Sequence, residues 1–126
     1  MLKVRHCMRD PLTADQDSTI EAVATILYER HVGSVVLVDK RRRCVGICTE
    51  RDIIRALACG IPVSTPVKKI MTRTPITIFQ EDTVGKARSV MSRRGIRHLP
   101  VVDKNRRLVG IVTARGLLED FLGVSS

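Results

Sequence analysis

Aromatic residues are almost missing from this chain. Tyr28, Phe79 and Phe121 are the only ones in 126 residues, and there is no tryptophan. Single-stranded nucleic acids are usually gripped by aromatic stacking platforms, so that mode of binding is disfavoured. The four cysteines (Cys7, Cys44, Cys48, Cys59) include no C-x-x-C pair. Cys44 and Cys48 fall in an apparent strand where four residues span roughly 13 Å, too far for a disulfide and awkward for a shared zinc. His6, His31 and His98 are scattered, so the expectation is free thiols and no metal site. No run approaches the ~18 consecutive apolar residues of a membrane span. The opening M-L-K-V-R-H-C-M-R-D has no apolar core of a secretory signal, which points to a soluble cytoplasmic protein with no membrane partner. There is neither a nucleophile–base constellation nor a G-x-x-x-x-G-K-[ST] loop, so no enzyme is expected. Acidic residues are outnumbered, 13 against 22 Lys and Arg. The resulting charge of +9 calls for an anionic partner: nucleic acid, a membrane surface or a phosphorylated small molecule.

What the chain does have is a repeat. Pro11 to Arg55 lies over Pro75 to Glu119 at a constant offset of 64. The match is clearest in V-D-K-R-R-R-C-V-G-I-C-T-E-R-D-I (38–53) against V-D-K-N-R-R-L-V-G-I-V-T-A-R-G-L (102–117). A fixed period implies one supersecondary unit used twice, each copy burying an apolar face. At one informative position the copies differ: Asp52 in the first is Gly116 in the second.

Each copy spells the same elements. Extended Pro-Thr segments (Pro11 to Thr13, Pro75 to Ile78) lead into a helix. The first helix carries Ile20, Val23 and Leu27 at helical spacing, with Ser18 and Glu21 at capping-box spacing; the second carries Val84, Ala87 and Met91, with Asp82 as the expected cap. Near-continuous apolar strands follow, Val35 to Val38 and Leu99 to Val102. Basic turns (Lys40 to Arg43, Lys104 to Arg107) then lead to strands Cys44 to Cys48 and Leu108 to Val112. Thr49 and Thr113 each open a second helix, and Gly60, Pro62 and Pro66 mark the joint. The fold class is α+β, a duplicated β-α-β-β-α unit, with residues 1–60 as the first repeat, 61–66 as linker and 67–126 as the second.

Gly46-Ile47-Cys48-Thr49-Glu50-Arg51-Asp52 carries the chemistry. Gly46 lets backbone or ligand approach closely. Thr49 sits where a helix begins, and helix N-termini offer unpaired N–H groups to a phosphate. Asp52, one turn on, has the acceptors to take both hydroxyls of a ribose. The same Thr49-x-x-Asp52 spacing is also a capping box, which would stand there for helix stability alone.

These motifs resemble the CBS (cystathionine-β-synthase-type) domain family, here as a tandem pair of the kind called a Bateman module. The resemblance rests on G-I-C-T-E-R-D (46–52) and G-I-V-T-A-R-G (110–116), on M-R-D-P-L-T (8–13) with M-T-R-T-P-I-T (71–77), and on G-I-R-H-L-P-V-V-D (95–103). It implies two repeats packed through their sheets with pseudo-two-fold symmetry, binding an adenosyl ligand in the cleft between them. Carried over residue by residue, Asp52 would hold the ribose and Thr49 the phosphates, with Ile47, Pro75, Ile76, Thr77, Ile96 and Leu99 around the ligand and Arg97 and His98 facing phosphate. A second, weaker site would use Thr113, Pro11, Thr13, Val32, Gly33 and Ser34. There Gly116 replaces the ribose-binding carboxylate and Gly33-Ser34 replaces Arg97-His98, so one competent site is expected.

The function implied is regulatory sensing of AMP, ADP or ATP, with S-adenosylmethionine as a further candidate, and with no catalysis or cofactor of the module's own. The resemblance also implies a homodimer of modules and a separate effector protein. The alternative, from charge alone, is a nucleic-acid-binding protein using the two basic turns.

Overall fold

The structure, a computed structural model, describes residues 1–123 and divides into two compact units. One is Leu12–Pro75; the other joins Met1–Pro11 to the stretch from Ile76 onward.

In the first of these units, β1 (Thr13–Ala14), α1 (Ile20–Arg30), β2 (Ser34–Val38), β3 (Cys44–Thr49), α2 (Glu50–Ala58) and β4 (Thr72–Arg73) follow in order. The sheet runs β1-β2-β3-β4, with β1 parallel to β2 and the other pairs antiparallel. In the other unit, β5 (Ile78–Phe79), α3 (Val84–Arg94), β6 (His98–Val102), β7 (Leu108–Thr113) and α4 (Ala114–Leu122) repeat the pattern, with sheet order β5-β6-β7. Even the irregularity is duplicated: the register slips between Leu37 and Val38, and again between Val101 and Val102. The mixed α+β class and the β-α-β-β-α order read from the sequence are therefore found in both units.

Each core is built from the stripes that periodicity marked. Ile20, Val23 and Leu27 of α1 pack with Val35 and Leu37 of β2, while Ala87 and Met91 of α3 pack with Leu99 and Val101 of β6. Val36, on the opposite face of β2, is also fully buried, which is why the strand is apolar at every position from Val35 to Val38 rather than alternating.

Two helix caps lie one residue beyond the expected ones. Thr19, not Ser18, caps α1 by accepting from the Ala22 N–H at 3.1 Å; Ser18 is held instead by its backbone carbonyl, which accepts from Val67 N at 2.7 Å. Thr83, not Asp82, caps α3 through Lys86 N at 3.1 Å, while the Asp82 carboxylate accepts from Phe79 N at 3.0 Å. The Asp82 carboxylate is taken up by that turn hydrogen bond, whereas α1 simply begins one residue later than the spacing suggested, with Thr19 in extended conformation as its cap.

The repeat also extends beyond the stretch matched at offset 64. Val4–His6 and Val67–Lys69 each form one turn of 3-10 helix with a fully buried valine. After these turns, Arg9 bridges to Ile111 of β7, just as β4 pairs Arg73 with Gly46 of β3. The chain start thus completes the unit that contains the second copy.

Candidate functional site

Thr49 ends β3 and caps α2, because β3 delivers it in extended conformation (φ −107, ψ 167) and the helix needs an acceptor there. Its hydroxyl accepts from Asp52 N at 3.4 Å, and Asp52 Oδ2 accepts in return from Thr49 N at 2.8 Å, closing a reciprocal capping box. Asp52 is 6% exposed and, with Ser34, one of two buried polar or charged residues among the described residues. Its other oxygen, Oδ1, accepts from Arg55 Nη2 at 2.6 Å. The capping role that the sequence left open is therefore present. The carboxylate also has a partner, Arg55, that the reading did not identify, although the i,i+3 spacing was visible.

The strand beside this turn brings Gly33 and Ser34 alongside. Ser34 pairs with Thr49 across β2 and β3, and Glu50 N donates to the Gly33 carbonyl at 3.1 Å. Ile47 on β3, Val32 before β2 and Thr13 on β1 belong to the same unit, as does Pro75 at its end. In the other unit, His98 pairs with Thr113, and Ala114 N donates to the Arg97 carbonyl at 3.0 Å. Arg97 is exposed, Leu99 is fully buried, and Ile76, Thr77, Ile96 and Pro11 lie in this unit as well. Of the residues expected to act together, the structure thus groups Asp52 and Thr49 with Gly33-Ser34, and Thr113 with Arg97-His98.

Thr113 caps α4 and accepts from Gly116 N at 2.9 Å. No side chain closes the box from Gly116. A Cβ at that position would stand 3.0 Å from Thr113 Oγ1 and 3.9 Å from Arg9 Nη2. Arg9 is engaged with Asp120 at 2.9 Å.

The motif glycines serve a packing need. A Cβ on Gly46 would collide with the Met71 sulfur, and one on Gly110 would stand 2.6 Å from the Met8 sulfur. What approaches Gly46 so closely is the chain's own methionine, rather than a ligand.

The basic turns are shaped by aspartates. Asp39 Oδ1 accepts from Arg41 N and Arg43 N, and Asp103 Oδ1 from Asn105 N and Arg107 N, leaving Arg42 and Arg106 in left-handed conformation at exposed tips. Arg106 lies over the Phe79 ring at 5.3 Å. The backbone N–H of Arg43 is the largest influence holding the Asp39 carboxyl below its usual range. Burial, then the nearby Asp52 charge, pushes the Cys48 thiol up to about 12, and burial pushes Cys44 up to about 11. Cys59 is exposed and all four thiols are free. Among the described residues there is no group of three or more His, Cys, Asp or Glu able to hold a metal ion, and no helix long and apolar enough to cross a membrane.

A cavity of about 690 Å³ opens beside α3 and α4, lined by Val84, Arg88, Met91, Ile96, Leu117 and Phe121 among others. Ile96 is its only lining residue among the expected ligand contacts.

Comparison with known proteins adds to this geometry. A family model described as CBS domain matches twice, at residues 4–59 and 67–123. The CBS domain pair of protein MJ0100, solved in complex with 5′-methylthioadenosine and S-adenosyl-L-methionine, superposes with a TM-score of 0.90 at 34% identity, covering 98% of both chains. A CBS domain protein from Pyrobaculum aerophilum, solved with AMP, gives 0.88 at 36% identity, covering 92% of this chain and 90% of that one. An uncharacterized 17.7 kDa protein of Acidianus ambivalens is 39% identical over 106 residues, 84% of this chain and 64% of the relative. The L-aspartate semialdehyde sulfurtransferase of Methanocaldococcus jannaschii is 36% identical over 91% of this chain, which spans only 22% of that enzyme.

Proposed function

Because the chain belongs to the CBS domain family, with two copies of the domain, we propose that it is a regulatory module that binds an adenosyl ligand and transmits its occupancy to a partner. The observation that carries this reading is the buried, solvent-excluded carboxylate of Asp52 at the start of α2, in a chain that resembles pairs solved with AMP and with S-adenosylmethionine. Asp52 accepts the ribose hydroxyls, and Thr49 with the first N–H groups of α2 faces phosphate. Arg97 and His98 are further phosphate partners in this reading. The counterpart built on Thr113 has no carboxylate at Gly116 and is the poorer site.

Ligands of the AMP, ADP and ATP class and S-adenosylmethionine meet the same requirement, an adenosine with a free diol. No reaction is assigned to the chain itself. Exposed apolar side chains on α2 (Ile54, Leu57) and on α4 (Leu118, Phe121, Leu122) support burial against a second copy. The effector that reads occupancy is assigned to another protein surface, with ligand and partner linked reciprocally.

A melting-temperature and calorimetric screen against AMP, ADP, ATP, S-adenosylmethionine and 5′-methylthioadenosine tests this. At least one should raise the melting temperature by mass action, and 100-fold excess over Kd corresponds to ~2.7 kcal/mol. If none does, while a generic DNA duplex binds with steep salt dependence that Asp52→Asn leaves untouched, the basic-surface reading replaces it.

A further inference from the structure

The geometry points to Arg55 as an internal competitor for the ribose-binding oxygen of Asp52, and so as the residue that sets how strongly the site distinguishes ribose from 2′-deoxyribose. This rests on the nucleotide-site reading above and deepens it.

A carboxylate has about four acceptor positions. Asp52 Oδ2 already takes the Thr49 N–H at 2.8 Å and faces the Thr49 hydroxyl at 3.2 Å. Oδ1 takes Arg55 Nη2 at 2.6 Å. One acceptor position is left, and a ribose presents two O–H donors. With Arg55 in place, Asp52 can satisfy one hydroxyl; taking both requires Arg55 to let go. Release is asymmetric, because the Arg55 side chain is 60% exposed while that of Asp52 is 7% exposed. Arg55 can swing into water with its charge solvated; Asp52 is fixed by its own capping bonds.

The repeat supplies an independent observation. At the positions equivalent to Asp52 and Arg55 the second copy has Gly116 and Glu119. Glu119 pairs instead with Arg115 at 3.6 Å. The cation thus accompanies the carboxylate and is absent where the carboxylate is absent. A purely structural i,i+3 pair stabilising α2 would explain the contact equally well, so the test needs a readout that helix stability does not move.

That readout is the ratio of dissociation constants for 2′-deoxy-AMP and AMP, measured by calorimetry on wild type, Arg55→Ala and Asp52→Asn, with adenosine as a third ligand. A largely solvated ion pair within one helix is worth a factor of about two in an equilibrium constant. Arg55→Ala should tighten AMP and adenosine by about twofold and leave 2′-deoxy-AMP nearly unchanged, so the ratio rises by that factor. Asp52→Asn should weaken AMP and bring the ratio down toward one. Equal changes for ribo and deoxy ligands in Arg55→Ala would overturn the proposal. So would weaker AMP binding with adenosine unaffected, since Arg55 would then be a phosphate ligand. If the wild type binds AMP with a strong preference over 2′-deoxy-AMP that Asp52→Asn abolishes but Arg55→Ala leaves alone, the site reading survives and the competitor fails. If no ligand binds, or Asp52→Asn binds as wild type does, both fall. Circular dichroism melts of Arg55→Ala confirm that the variant folds.

Discussion

Replacing Asp52 by alanine should destabilise the protein even when no ligand is present. The side chain closes one half of the α2 capping box through Thr49 N at 2.8 Å. That bond is the N3 half of the box, and Thr49 itself stays as the cap, so losing it leaves the half-buried Thr49 N–H without its acceptor at a cost of about 1 kcal/mol. The Arg55 pair contributes only a few tenths of a kcal/mol, because its cation is 60% exposed and screened by solvent. The total is about 1.3 kcal/mol. At 126 residues the unfolding entropy is on the order of 0.26 kcal/mol/K, so the melting temperature should fall by about 5 °C. Asp52→Asn keeps a side-chain oxygen that can still accept from Thr49 and should lose less than half as much. Calorimetric or circular-dichroism melts of the three proteins without ligand decide the matter. An Asp52→Ala variant melting within 1–2 °C of wild type would show that the capping box contributes nothing here. That outcome would refute the reasoning that Asp52 has a structural duty beside its proposed ligand contact.

Other outcomes follow from comparing one copy with the other. The helix α1 ends on His31 in left-handed conformation (φ 54), where α3 uses Gly95 at φ 65; His31→Gly should therefore stabilise by about 0.5–1 kcal/mol, read as a melt 2–4 °C higher. A Cβ at Gly46 meets the buried Met71 side chain, so Gly46→Ala should cost about 1–3 kcal/mol, and the cost should shrink in a Met71→Ala background as a non-additive double-mutant cycle. With a thiol reagent at pH 8, exposed Cys59 should label fast, half-buried Cys44 slowly, and buried Cys48 only when the chain unfolds. These two thiols have folded pKa values raised from an ordinary 9.0 to about 11 and about 12, so the stability they contribute is intact below pH 9 and is lost as pH rises through that window. Denaturant melts from pH 8 to 11 should show a steady decline, and a flat profile would contradict the raised values of these two thiols.

Much of this was legible in the residues because the chain states its fold twice. Stripes at helical spacing located α1 and α3, continuous apolar runs located β2 and β6, and Thr49 and Thr113 marked the starts of α2 and α4. What was not legible depended on the folded backbone. Ser18 and Asp82 looked like caps by local spacing, yet Val67 N fixes the Ser18 backbone carbonyl, the turn N–H of Phe79 takes the Asp82 carboxylate, and Thr19 and Thr83 do the capping. Gly46 suggested room for a ligand, and only the fold reveals that Met71 fills it. The carboxylate at 52 was visible as a candidate, whereas its pairing with Arg55 needed the rotamers of a formed helix.

The most direct test of the account is calorimetric titration of AMP into wild type and Asp52→Asn. The account predicts saturable binding at one ligand per chain in the wild type, with affinity falling at least tenfold in Asp52→Asn. Two equal sites per chain, or binding that Asp52→Asn leaves unchanged, would contradict it.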